Sequence, residues 1–391
     1  MLKQIQMPVY TIKILDTLSP VDPATWNTIS GTHNPFTRFE FLHALETEGC
    51  TTSAQGWQPH HLAFTDAAGS TVALLPAYIK THSMGEYVFD WGWADAYQRH
   101  GLAYYPKLLS AVPFTPSIGP RLLYPPGSDP ATVMQLHHDA AQALTSEATN
   151  MQASSWHLLF ANEDSVSLLG GEENVMMRSG CQFRWKNNGY SIFEDFTDAL
   201  VSRKRKMIRK ERKAIADQGI SFRHLPGTDI TQADLDTFFV FYQATYLKRG
   251  QAPYLTRGFF QRIRETMPEQ LHLVMAEHNG NDVAAALFFV NEDTLFGRYW
   301  GCLEEYDRLH FETCYYQGIE LCISRNLRDF DAGAQGEHKI LRGFEPIITR
   351  SCHWVAHPSF RAAIAGFLES ETQNVVAYAD EARSLLPYRD Y

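Results

Sequence analysis

Apolar residues recur at helical spacing over Pro35 to Glu48 and again over Thr256 to Met267. In the second stretch Thr256 is placed to cap the helix and Pro268 to stop it. Strand-like runs follow each helix. His60–Thr65 turns at Ala68-Gly69 into Thr71–Lys80, and Leu271–Glu277 turns at Asn279-Gly280 into Val283–Val290. Asn-Gly is a hairpin signal because both residues tolerate positive φ. A third strand is expected at Tyr87–Trp93 and at Leu295–Cys302. A helix then follows at Leu102–Ala111 and at Phe311–Leu327, and a last strand around Trp156–Phe160 and Asp329–Ala332. Helix, antiparallel strands, helix, strand is an α+β pattern.

The same order occurs twice because the sequence repeats itself. His61 to Ala73 lines up without a gap on His272 to Ala284, with His, Leu, an acid, Gly, Val and Ala in register. Trp91-Gly92 with Tyr97, Arg99 and His100 is echoed by Trp300-Gly301 with Tyr306, Arg308 and His310. Tyr104-Tyr105 is echoed by Tyr315-Tyr316, and Thr37 to Phe41 by Thr256 to Phe260. Four blocks in one order point to a diverged tandem duplication. The polar, turn-prone Lys186-Asn187-Asn188-Gly189 marks the boundary, giving domains 1–187 and 188–391.

Length and composition narrow the class. At 391 residues the chain holds enough apolar surface for large cores without metals or disulfides. The longest purely apolar run, Val283 to Val290, is far short of the ~20 residues of a membrane span. Met1 to Tyr10 has no signal-peptide layout. Six scattered cysteines form no framework and suit a reducing cytoplasm. No metal-ligand spacing, nucleophile elbow, P-loop or dinucleotide fingerprint is present.

The net charge of −10 argues against general nucleic-acid binding. One segment opposes it. Residues 203–213 carry eight cations and one acid, within an expected helix over 192–218. Ser191 and Glu194 suggest a capping box, and Leu200, Met207, Ile208 and Ile215 form one narrow apolar stripe. Like charges so concentrated need acidic partners within the fold, solvent or an anionic ligand. Arg203, Lys204, Arg205, Lys206, Arg209 and Lys210 are therefore candidates for phosphate or tRNA contact.

Several strings carry a family likeness. They are Phe89 to Tyr97, Tyr104 to Lys107, Pro113 to Pro116, Gly119 to Leu122, and the basic helix ending at Gly219-Ile220. Gly333 to Lys339 and Arg342 to Pro346 complete the set. Together they resemble the GNAT (acyl-CoA N-acyltransferase) superfamily, and within it the FemAB-like tandem-GNAT proteins grouped with peptidoglycan aminoacyltransferases. The resemblance implies two tandem GNAT-like α+β domains with mixed sheets and flanking helices. It implies transfer of an acyl or aminoacyl group to a primary amine, such as that of a peptidoglycan precursor or peptide. GNAT enzymes that use acetyl-CoA carry an R/Q-x-x-G-x-G/A loop. Asp95 to Leu102 and Glu304 to Phe311 lack it. The donor is thus aminoacyl-tRNA or an acyl-CoA, with no cofactor fixed by the sequence. An acetyl-CoA-dependent acetyltransferase and a non-catalytic tandem-GNAT binding protein are the alternatives.

Amide formation needs a base for the attacking amine and a donor for the developing oxyanion. The loop Gly333 to Pro346 is the most site-like stretch. Glu337 or His338 can serve as base, and Lys339 and Arg342 can hold phosphate or carboxylate. Asp95 and Glu304 fall just past the expected third strands, where GNAT folds often keep a catalytic carboxylate. Asp90 and Arg298, with the aromatics Trp91, Trp93, Tyr97, Tyr104, Tyr105, Tyr299 and Trp300, are candidates for substrate contact. His100 and His310 equally suit capping. No cysteine or serine stands in a nucleophile setting, so attack is expected to be direct.

Overall fold

A computed structural model describes residues 10–334 and 336–389. Met1 to Val9, read above for a signal layout, lie outside the described residues, as do Gln335 of the glycine-rich loop and the last two positions. The chain forms two compact units. One runs to Gly180 and takes back Thr349–Val375. The other holds Cys181–Ile348 and the chain from Val376 onward. The units are thus not the consecutive segments 1–187 and 188–391. The eleven-residue strand Glu345–Val355 ends by pairing with Ser155–Leu158 of the first unit, and most of the following helix goes with it.

The first unit begins β1 (Thr11–Leu15), α1 (Pro23–Ser30), α2 (Phe39–Thr47), β2 (Trp57–Pro59), β3 (His61–Thr65), β4 (Thr71–Leu75) and β5 (Tyr78–Lys80). Then come α3 (Trp91–Arg99), β6 (Lys107–Ser110), α4 (Pro130–Asn150), β7 (Ser155–Leu158) and α5 (Glu163–Leu169). The strand β8 (Met176–Lys186) leads out of it. β1, β3 and β4 form an antiparallel sheet. β2, β5 and β6 pair antiparallel, and β6 lies parallel to β7. Leu62, Phe64, Leu75, Leu108, Leu144 and Trp156 fill the core between sheets and α4.

Two expectations fail here. Tyr87–Trp93 is not a strand, because Trp93 and Tyr97, four apart, bury one face of the helix α3. Leu102–Ala111 is not a helix. Its second half is the fully buried strand β6.

The second unit continues α6 (Phe193–Asp198), α7 (Ser202–Asp217), β9 (Ile220–Pro226), α8 (Gln232–Leu247), α9 (Arg257–Thr266), β10 (Leu271–His278), β11 (Asn281–Val290) and β12 (Thr294–Cys302). A helical stretch follows as α10 (Leu309–Phe311), a π-turn (Glu312–Tyr316) and α11 (Gln317–Ser324). Then come β13 (Asp329–Asp331), a 3-10 turn (Glu337–Arg342) and the start of β14 (Glu345–Val355), which passes into the first unit at Thr349, while α12 (Pro358–Ser384) returns to the second at Val376. The strands run β8-β13-β12-β11-β10-β9, with only β12 and β13 parallel.

The Asn279-Gly280 turn adopts the expected positive φ at both residues, 51° and 75°. Thr256 accepts from the Phe259 N–H at 3.2 Å, so the cap is real. The basic segment is two helices, not one over 192–218. The chain breaks at 199–201, where Leu200 is buried. The α6 start is held by Asp195, which accepts from the Ser191 and Ile192 N–H groups, and not by Ser191.

The two units share a plan. Three antiparallel strands, β1-β3-β4 or β9-β10-β11, accompany a parallel pair, β6/β7 or β12/β13, with helices between the paired strands. The Trp-Gly echo does not obey this plan, since Trp91-Gly92 opens a helix and Trp300-Gly301 lies in a strand. The α+β class stands, with mixed sheets and flanking helices. Among the described residues no helix is long and apolar enough to cross a membrane.

Candidate active site

In the second unit the parallel pairing of β12 with β13 covers only Thr294–Phe296 against Asp329–Asp331. Beyond it the strands part, because β12 runs on and β13 stops. Arg298 is the extra residue of a β-bulge between β11 and β12, where Leu287 faces Tyr299 and Phe288 faces Gly297. Its guanidinium fills the angle of the fork. It donates to the carbonyls of Gly297 and Asp331 at 3.0 and 3.2 Å, and to the Asp331 carboxylate at 3.1 and 2.8 Å. Burial pushes Asp331 up, yet Arg298 and Arg184 hold it below the usual carboxylate range.

A cleft of about 120 Å³ opens at this fork. Gly297, Arg298, Tyr299, Trp300, His310, Cys314, Tyr315 and Ala332 line it. His310 packs edge-on to Trp300 and Tyr315, at 5.4 and 5.3 Å. Burial first, then the charges of Lys339 and Arg342 and the neighbouring His338, push it down to about 4, so it is neutral at pH 7. Burial holds the Cys314 thiol well above its ordinary range, so no thiolate faces the cleft.

Behind this wall stands His338. Its Nε2 lies 2.8 Å from the Tyr315 hydroxyl, and accepts from it in the tautomer protonated on Nδ1. Tyr315, Phe311 and His310 surround the ring, with centroids 5.5, 5.5 and 6.1 Å away. Burial, Arg342 and Lys339 lower the His338 pKa. Gly336 makes the arrangement possible. Its φ is +120°, and a Cβ there would meet the imidazole at 2.6 Å.

The other loop residues are spent on structure. Lys339 is buried, and its ammonium donates to the carbonyls of Ala332 and Gly333 at 2.8 and 2.9 Å. Burial pulls its pKa down to about 8. Arg342 is buried and donates to both Glu211 oxygens at 2.9 Å, so it is not an open phosphate site. Glu337 is exposed and accepts from the Tyr378 hydroxyl at 3.0 Å, outside the cleft. Glu304 lines a different hollow of about 250 Å³, with His278 and Tyr306, and shares no lining residue with the cleft.

The first-unit candidates separate in the same way. Asp95 lies on the surface of α3 and pairs with Arg99, so it occupies no strand end. Trp91 is exposed, whereas Trp93 packs on His353 and Tyr97 on Phe360. His100 caps α3 through the Ala96 carbonyl at 2.8 Å.

Asp90, Tyr104 and Tyr105 converge on Lys107, which the sequence marks only as the end of one string of the family likeness. The Lys107 ammonium donates to Ser83 and Glu86 at 2.8 Å and to Asp90. Tyr104 donates to Asp90 at 2.7 Å, and Tyr105 meets Ser83 at 2.8 Å. Against the cost of burial, Lys107 holds Asp90 at about 2. Burial lifts Glu86 to about 7 and pulls Lys80 down to about 7. His157 and His353 continue the buried network, Nδ1 to Nδ1 at 2.7 Å.

Along α7, Arg205 and Arg209 pair with Asp198 at 2.9 and 3.5 Å, and Arg212 pairs with Glu312 and Glu320. Arg203, Lys206 and Lys210 are exposed and have no ion pair among the described residues, and Lys204 is half-buried. A groove of about 420 Å³ follows the helix, lined by Arg209, Arg212 and Lys213, by Glu194 and Glu312, and by apolar residues that include Phe193, Ile220 and Phe222. Cys314, Tyr315 and Glu211 as site residues, and Lys107 as the centre of the first-unit cluster, escaped the sequence reading. The Tyr315-Tyr316 echo and the single acid within the basic run were the signals for two of them.

A family profile, FemAB-like, described as peptidoglycan biosynthesis/recognition, matches residues 17–390. No curated protein matches the chain. Among solved structures, FemX is similar over 90% of this chain and 100% of its own, at 10% identity and a TM-score of 0.52. The C-terminal domain of a putative lysylphosphatidylglycerol synthetase from Agrobacterium fabrum is similar over 88% and 94%, at 8% identity and 0.50. A conserved protein of unknown function from Bacteroides thetaiotaomicron is similar over 88% and 100%, at 11% identity and 0.50. At such identities the likeness is one of fold.

Proposed function

The chain belongs to the FemAB-like family, with a fold of two tandem GNAT-like units, and from that premise we propose that it is a cytoplasmic N-acyltransferase. It moves an aminoacyl group from tRNA onto a primary amine of a peptidoglycan precursor or related peptide. The second unit carries the chemistry, and the first unit serves binding. The cleft at the β12/β13 fork carries this reading. It sets a hydroxyl hydrogen-bonded to a neutral imidazole beside a small chamber that exposes no thiolate.

The step balances without a covalent enzyme intermediate. The neutral amine attacks the ester carbonyl carbon, and the C–N bond forms as an amine proton passes to Tyr315. The Tyr315 proton passes in turn to His338. The ester C–O bond breaks, and the tRNA ribose hydroxyl leaves with the returned proton. The exposed cations Arg203, Lys206 and Lys210 of α7 meet the donor's phosphates.

The test supplies the protein with tRNA charged with radiolabelled amino acids and a lysine-containing peptidoglycan precursor. Label on the precursor amine, lost in His338→Ala, is the expected result. Label arriving only from acetyl-CoA would replace the donor. No transfer from either, with binding retained, would make the protein a recognition module.

A further inference from the structure

Glu211 is the one acid among residues 203–213, and the most deeply buried of that run's charged residues. Charged residues are seldom buried without a partner network, and Glu211 has four contacts from three groups. Both oxygens accept from Arg342 at 2.9 Å, one from Arg308 at 3.3 Å, and the other from the Tyr316 hydroxyl.

Each contact leads to the site. Arg342 donates onward to the His338 carbonyl at 2.8 Å, and its guanidinium lies 3.6 Å from the centroid of Phe311. Phe311 is one wall of the His338 cage and stacks on Tyr315 at 6.3 Å and 23°. Tyr316 is the next residue to Tyr315 on the π-turn. Both partners of the His338–Tyr315 hydrogen bond are therefore set from one carboxylate on the inner face of the basic helix.

We propose that Glu211 is a positioning residue for the His338–Tyr315 pair, so that α7 builds the reaction centre with its inner face while its outer face carries the exposed cations. Glu211 itself lines neither the cleft nor the groove. The proposal rests on the acid–base reading of that pair.

The test is Glu211→Gln, with Glu211→Asp as the conservative variant. Glu211→Gln should lower kcat about tenfold or more with KM for the donor within about twofold. Glu211→Asp should recover part of the loss. Removing the carboxylate leaves the Arg342 charge uncompensated beside His338. NMR of the labelled imidazoles should then show His338 titrating at lower pH than in the wild type, and the acidic limb of the rate profile should move with it. Arg342→Lys, which keeps the charge but loses the fork, should give the same kcat-selective loss should Glu211→Gln not fold. Wild-type kcat and wild-type His338 titration in a folded Glu211→Gln would overturn the proposal. So would a change in KM alone, or failure of all three variants to fold. A wild type that transfers nothing would end the acid–base reading, while the His338 titration of Glu211→Gln still decides the positioning.

Discussion

In the proposed reaction His338 and Tyr315 divide one task between two side chains. Tyr315 lines the cleft and its hydroxyl lies 2.8 Å from the His338 Nε2 behind it, so the proposed proton transfer needs both. His338→Ala and Tyr315→Phe should each lower kcat by about 100-fold, and the double variant scarcely further. Cys314→Ala should keep activity within about threefold, because a protonated thiol offers no nucleophile. A stopped reaction in Cys314→Ala, or a trapped thioester, would replace direct attack with a covalent route. His338 stood out as a candidate because glycines and titratable groups crowd its loop. The roles of its neighbours were not legible, since only burial separates the structural Lys339 and Arg342 from an open anion site. The first-unit cluster gives a second prediction. Between about pH 4.5 and 7 the unfolded chain has released a proton that Glu86 keeps when folded, so this group's contribution to stability falls as pH rises. Between about 7 and 10.5 the unfolded chain keeps a proton that folded Lys80 has lost, so its contribution rises with pH. Subtracting the Tm of Glu86→Gln from that of the wild type across pH should isolate the falling limb, and Lys80→Met the rising one. Flat differences would show that neither group is shifted by burial.

Gly92 and Gly301 hold the same place in the sequence echo and opposite places in the fold. Gly92 sits in the first turn of α3, where a Cβ would have open space for 4 Å around it. Gly301 lets α8 lie against β12, and a Cβ there would come 1.9 Å from the Phe241 carbonyl oxygen. Gly92→Ala should therefore stabilise by about 0.5–1 kcal/mol through helix propensity. Gly301→Ala should cost about 3 kcal/mol or more, since the obstacle is backbone and cannot swing aside. Chemical denaturation of the two variants checks both signs, and equal effects would contradict the assignment of these elements. The elements read correctly were those with a local mechanism, such as the Asn279-Gly280 hairpin and the Thr256 cap. The strand expected at Tyr87–Trp93 followed the order shared with Leu295–Cys302. The four-residue spacing of Trp93 and Tyr97, both buried on α3, was the better signal. Likewise β6 was hidden because Lys107, a charged residue at its start, is fully buried by acids distant in sequence.

The plan shared by the two units includes a parallel strand pair, but the units differ in what they place there. In the first, β7 offers His157 to a closed buried network. In the second, the fork beside β13 stays open as the cleft. Charge has parted as well. Residues 203–213 carry a net +7, so the other 380 residues carry −17. An acidic body repels a polyanion at long range, and attachment must then depend on a few cations that the fold leaves unpaired. Of the eight, Arg205, Arg209, Arg212 and Lys213 already face carboxylates, Lys204 is half-buried, and Arg203, Lys206 and Lys210 are exposed without an ion pair among the described residues. Three such contacts give a definite expectation. The logarithm of the tRNA association constant should fall against the logarithm of salt concentration with a slope of about −2 to −3. Combining Arg203→Glu, Lys206→Glu and Lys210→Glu should bring binding and slope close to zero, with Tm little changed because these side chains support no packing. Anisotropy titrations of uncharged tRNA at several salt concentrations measure both quantities. A wild-type slope near zero would remove the donor from α7 and leave that helix with its inward role alone.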